Sequence, residues 1–436
     1  MKTSIILSSL IIVLLSVLLS SCKKVDNSLP EITTPIATGE YSVFAWNDLG
    51  MHCLNPSYDK LVILPPYNNV LVQVVKRGNP PVIVTSGITV SYKLTNNTTS
   101  YNKKSYGGFW DNALKLFGSS PAHDVGLKGN GLSGDMKVSG EHFTAEGIPV
   151  VPVNDNGVWN PFQVAEITVK SSNGTILAQT QATVPTSDEI NCAKCHGSST
   201  VNAFDDILAK HDAKHSTNLS NAASKPVLCA GCHPSPALGI MAGPQKYLSQ
   251  VLHGSHANKV GITCYDCHPG VTTKCNRSLA HTSENGNCTA CHGEMSNVAS
   301  TIAAGRIPWA SEPKCVSCHT QVNGVDTGTT LYRNSTGHGN LYCTVCHGSP
   351  HAMYPSRETS DNYQSKQYQG FTSKIKSIGS CGVCHNSSKG ESNISEFAET
   401  HGGSNPEHLI GCSACHTSIS TNTAEWPHAF TWKNSN

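Results

Sequence analysis

Eight short segments of this chain carry the same reactive atoms in the same order: two thiols with two residues between them, then an imidazole. They read CAKCH, CAGCH, CYDCH, CTACH, CVSCH, CTVCH, CGVCH and CSACH, starting at Cys192, Cys229, Cys264, Cys288, Cys315, Cys343, Cys381 and Cys412. Thiols at this spacing can add across the two vinyl groups at one edge of a porphyrin. The His that follows then lies beneath the iron as an axial nitrogen. Zinc would use similar letters but closes a tetrahedron with four protein ligands. Here no second Cys-x-x-Cys pairs with the first in a zinc-ribbon rhythm. The expected cofactor is therefore haem c, eight per chain. The thioether anchors would be Cys192 and Cys195, Cys229 and Cys232, Cys264 and Cys267, Cys288 and Cys291, Cys315 and Cys318, Cys343 and Cys346, Cys381 and Cys384, and Cys412 and Cys415. The proximal ligands would be His196, His233, His268, His292, His319, His347, His385 and His416.

Each iron needs a second axial ligand or stays open for chemistry. Ten further His share this half of the chain: His211, His215, His253, His256, His281, His338, His351, His401, His408 and His428. They are candidates for bis-His ligation throughout. His256, His281, His338 and His408 shortly precede a motif, and the spacings of His253 with His256 and His211 with His215 suit one helix face. Met is scarce, which favours low-potential haems over Met/His ligation. His52, His123 and His142 fall in the first half.

Of 19 Cys, the motifs use 16, leaving Cys22, Cys53 and Cys275. Residues 1–21 read as an export signal: Lys2, then an apolar stretch too short to span a bilayer. The end, Leu19-Ser20-Ser21-Cys22, resembles the lipobox of bacterial lipoproteins, which implies a lipid on Cys22. In an oxidising compartment the leftover Cys53 and Cys275 are candidates for a disulfide.

These groups must be positioned by two unlike regions. Residues 22–40 form a polar tether. From 41 to 186, short runs rich in Val, Ile and Thr alternate with turn signals such as Asn154-Asp155-Asn156-Gly157 and Ser172-Asn173-Gly174, which predicts an all-β, sandwich-like domain. Asn154–Gly157 lacks the downstream Glu of a calcium loop and reads as a hairpin turn. Long loops and one helix around 111–117 are expected between 101 and 147. From 187 to 436 hydrophobic periodicity fades and Gly, Ser, Asn and Thr dominate. Such a polypeptide lacks a core of its own. Porphyrins would supply it, with short helices and loops wrapped around them. The formal net charge of +1 points to no nucleic-acid partner, and haem propionates would turn the loaded protein acidic.

The segments CYDCHPGVTTKC (264–275), GHGNLYCTVCHGSPHAMYPS (337–356) and AWNDLGMHC (45–53) with ILPPYN resemble the exported multihaem c-type cytochromes of Gram-negative bacteria. The resemblance implies electron transfer through closely spaced bis-His haems at the periplasm or outer membrane. Its partners would be redox proteins or an extracellular electron acceptor, with the lipid as membrane anchor. The chain reads as a carrier rather than a substrate-converting enzyme. The alternative is an octahaem oxidoreductase with one open-face haem acting on a small nitrogen or sulfur compound.

Overall fold

The computed structural model describes residues 39–385 apart from 79, 271, 280, 282–287, 319–327, 370–376 and 380. The signal segment with Cys22, most of the tether, His319, the side chain of Cys381, the eighth motif (Cys412, Cys415, His416) and the candidates His401, His408 and His428 lie outside the described residues.

Period-two patterning builds the first half. In β4 (Asn68–Lys76), Val70, Val72 and Val74 are fully buried on one side. In β10 (Phe162–Ser171), Ala165, Ile167 and Val169 do the same. One sheet runs β1 (Tyr41–Asn47), β4, β9 (His142–Ile148), β8 (Lys137–Ser139), with β5 (Val82–Ile83) also paired to β4. The other runs β2 (His52–Cys53), β11 (Ile176–Ser187), β10, β6 (Ile88–Leu94), β7 (Ser133–Asp135). Neighbours are antiparallel except β2 with β11. Val43, Val72, Tyr92, Ile167 and Val184 share one core between the sheets. A parallel ladder joins β3 (Leu61–Val62) to β12 (Val227–Leu228), directly before the second motif.

Asn154–Gly157 is a tight turn: Gly157 N–H donates to Asn154 O at 2.9 Å, and Asp155 is engaged by Thr98 and Lys103. The stretch 101–147 is more ordered than its Gly and Ser content predicts. There α1 (Gly108–Phe117) buries Phe109, Trp110, Ala113 and Leu116 on one face and ends at left-handed Gly118.

Beyond Ser187 the described elements are short. They include α2 (Ala203–His215), α3 (Leu248–His256), α4 (Cys288–His292), α5 (Met295–Ala303), α6 (Cys343–His347), α7 (Tyr363–Gln369) and single 3-10 turns. This half leans on the outer face of the first sheet. Val43 and Ala45 point into the sandwich, whereas Phe44, Trp46 and Val75 pack with Val345, Tyr354, Tyr368, Ile378 and Val383. This two-sided burial explains why β1 reads as a continuous apolar run rather than an alternating one. Polar pins hold the seam: Tyr368 and Gln364 of α7 bond the backbone of Val43 and Ala45. No helix among the described residues is long and apolar enough to cross a membrane.

Candidate functional site

Each motif with described backbone forms a single helical turn. In the first three, the His N–H donates to the carbonyl of the first Cys, at 3.0, 3.0 and 2.8 Å for His196, His233 and His268. The motifs at Cys288 and Cys343 are α-turns, and those at Cys315 and Cys381 begin as 3-10 turns. One turn brings residues i and i+4 to the same side, so the imidazole shares a face with the first sulfur.

Across from five motif His stand five of the ten candidates. Ring centroids are 6.3 Å apart for His196 and His256, 6.5 Å for His233 and His211, 6.1 Å for His268 and His253, 6.2 Å for His292 and His351, and 6.3 Å for His385 and His338. An iron between two imidazoles, with metal–nitrogen bonds of about 2 Å and about 1.2 Å from each nitrogen to its ring centre, calls for about 6.4 Å. Directly stacked rings would sit closer, as His123 does on Tyr101 at 3.5 Å. The spacing fits an axial pair around one metal.

Protonation states agree with that fit. His253 and His256 donate Nδ1–H to the carbonyls of Ser249 and Leu252, each at 2.7 Å. His233 donates to Lys246 O at 2.9 Å and His351 to Leu49 O at 3.1 Å. His196 meets Asp206 Oδ2 at 3.2 Å, and His211 meets Thr217 Oγ1 at 2.9 Å, whose own hydroxyl donates to Asp212. Carbonyl and carboxylate oxygens only accept, so in the neutral ring Nδ1 carries the proton and Nε2 is the nitrogen left for a metal. Burial holds His268 down to about 4, reinforced by His253, His351 and His292, and burial with His385 nearby holds His338 down to about 4. Both are neutral at pH 7, as ligation requires.

The surroundings also suit a flat apolar group with carboxylate arms. Val201, Met241, Leu252, Val260 and Ile307 are among the exposed apolar side chains of this half. Near the sixth and seventh motifs, the buried donors Trp46 Nε1, Thr344 Oγ1 and Lys366 Nζ have no hydrogen-bond partner among the described residues, and propionates would provide acceptors.

The remaining candidates are placed differently. His215 lies beside His211, 4.8 Å between rings, rather than across from a motif. His281 meets Ser278 Oγ at 3.2 Å. In the first half, His52 is buried against Asp48 at 2.7 Å, and His142 meets Tyr342 OH at 3.0 Å. Cys53 and Cys275, the two Cys outside the motifs among the described residues, are both half-buried. Burial pushes Cys53 up to about 12, with Cys275 close enough to push the same way.

Several supporting groups carry no signal in the sequence as letters. Asp206 reaches His196 from α2, and Lys194 clamps Asp266 at 2.9 and 2.8 Å. Arg277 grips Asp361 through Nε and Nη2 at 2.8 and 3.0 Å and gives Nη1 to Gly50 O at 2.8 Å. The two helical anchors, Ser249 and Leu252, were legible: each is the i−4 carbonyl of a His on α3.

Residues 295–348 match the family model for cytochrome c554 and c-prime. The matched stretch holds the fifth and sixth motifs, at Cys315 and Cys343, together with His338. This likeness supports a c-type cytochrome, with haem c as its cofactor and haem-based electron transfer as its general activity. No curated protein matches the chain.

Proposed function

We propose that the mature protein carries eight covalent haem c groups, one per motif, with bis-His ligation, and works as an exported electron-transfer lipoprotein. The observation that carries this reading is the set of five His–His pairs with ring separations of 6.1–6.5 Å. In the proposal each Cys pair in a motif anchors one macrocycle and its His is the proximal ligand. His256, His211, His253, His351 and His338 are distal ligands to the motifs at Cys192, Cys229, Cys264, Cys288 and Cys381 respectively. Haem c, when bound, supplies a one-electron iron couple. The protein's part is to hold the imidazoles neutral, orient them through Nδ1, and bury the faces they present.

Export and the lipid on Cys22 are supported by the N-terminal signal pattern, and haem attachment outside the cytoplasm suits them. In this proposal the protein sits at the outer membrane, on the periplasmic or surface side, and exchanges electrons with redox proteins or an extracellular acceptor. A Cys53–Cys275 disulfide belongs to the same picture and is supported by the nearness of the two sulfurs; counting free thiols in the oxidised protein tests it.

Two measurements test the function. The mass of the mature protein should exceed that of its polypeptide and lipid by eight haems. The dithionite-reduced protein should bind neither carbon monoxide nor nitrite. Tight binding of one carbon monoxide per chain would favour the alternative, an octahaem oxidoreductase with one open-face haem.

A further inference from the structure

The pairing of ligands crosses between motifs, and each crossing ties two neighbouring sites together. The first and second motifs share α2, which sends Asp206 to His196 and holds His211 opposite His233. Their leading sulfurs, Cys192 and Cys229, also pack on one cluster with Leu61, Phe204 and Leu208. The first and third motifs share α3, one turn of which faces His256 to His196 and His253 to His268. They are pinned together again where Asn191 N–H donates to Asp266 O at 2.9 Å and Lys194 clamps the Asp266 carboxylate.

The third and fourth motifs meet where α3, which holds His253 opposite His268, packs on α5, which begins three residues after His292. Cys264 and Cys288, whose thiols stand for thioether sulfurs, are also neighbours. The fourth and sixth motifs are joined by a tight turn after His347. There His351, at φ 62°, faces His292, and Tyr354 N–H returns to His347 O at 2.8 Å. The sixth and seventh are joined twice. His338, just ahead of Cys343, faces His385, and Cys346 and Cys384 pack on the same cluster under β1.

We infer that the haems stand in the spatial order second, first, third, fourth, sixth, seventh, so that the route for electrons departs from the order of the motifs along the chain. The inference rests on the bis-His reading and adds connectivity to it. The helix α3 is the junction that makes the first site, rather than the second, the neighbour of the third. Passage along this route is one-electron exchange between neighbours, supplied and drained by external redox proteins.

The test is a crystal structure of the mature, haem-loaded protein, with irons located by anomalous scattering and assigned to motifs through the thioether density. The iron at His196 should have those at His233 and His268 as its two nearest neighbours. The iron at His347 should be closer to those at His292 and His385 than either of these is to the other. An iron at His233 closer to that at His268 than to that at His196 would overturn the order while leaving the bis-His reading intact. Irons lacking paired His, or an absence of covalent haem, would overturn both.

Discussion

At the scale of residues, the decisive detail is which imidazole nitrogen holds the proton. Among the ten His of the five facing pairs, six have Nδ1 on an oxygen acceptor, so each of those rings has one nitrogen left for a metal. The acceptors differ in kind. His196 faces a carboxylate, Asp206, whereas His233, His253, His256 and His351 face neutral carbonyls. A carboxylate makes its imidazole more electron-rich and favours the oxidised iron. Asp206→Asn should therefore raise one midpoint potential, on the order of tens of millivolts, and leave the others in place. Potentiometry followed in the Soret region checks this. His256→Met should move the same potential upward by more, since a thioether disfavours the ferric state. If the two variants shift different haems, the pairing of His196 with His256 is wrong. The distal ligands were only half legible in the sequence. Ten His could be counted, but a count cannot assign partners, because the proposed pairs join residues such as His292 and His351 whose nearness depends on tertiary packing.

At the scale of elements, the loop between β1 and β2 supports His351, the proposed distal ligand of the fourth motif. Leu49 O holds His351. Gly50 sits at φ +75°, with room so tight that an added Cβ would lie 1.6 Å from Pro350 O. Arg277 ties the loop to Asp361, and its own backbone N–H donates to His351 O at 2.6 Å. Gly50→Ala must push the turn at 349–352 away, so one haem per chain should lose its sixth ligand, become high-spin and bind carbon monoxide; unchanged low-spin spectra would refute this role. Arg277→Ala leaves Asp361 buried without its partner and should cost about 3–5 kcal/mol in denaturant unfolding. The β-strands and their hairpins were legible because apolar residues alternate and Asn-Gly pairs mark turns. The seam was not: the Phe44 and Trp46 side of β1 looks like core in the sequence, and nothing local says that its cover is the sixth and seventh motifs.

At the scale of the whole molecule, the two halves obtain their interiors differently. The sandwich buries Val, Ile and Tyr side chains between sheets, while the second half has short helices, exposed apolar residues and paired His facing one another across metal-sized gaps. A chain deprived of haem during maturation should keep β-type circular dichroism and be cleaved by protease beyond Asn191, where loss of the β signal would contradict the division. Acid should act first on the haem half. Lys194 holds Asp266 below the usual carboxylate range, Lys225 and Lys60 do so for Asp205, and Lys210 with the Gly197 amide holds Asp206 down to about 2. Carboxylates depressed in the folded state stabilise it above their unfolded value of about 3.9, and that contribution disappears as pH falls toward the folded values. The contacts of α2 and of Lys194 should accordingly loosen between about pH 4 and pH 2, as the Soret band reports in an acid titration. The most direct test of the account is low-temperature EPR of the fully oxidised mature protein, integrated against total iron. It should return eight irons per chain, all low-spin, as eight bis-His haems require. A high-spin signal amounting to one or more irons per chain, or fewer irons than motifs, would contradict it.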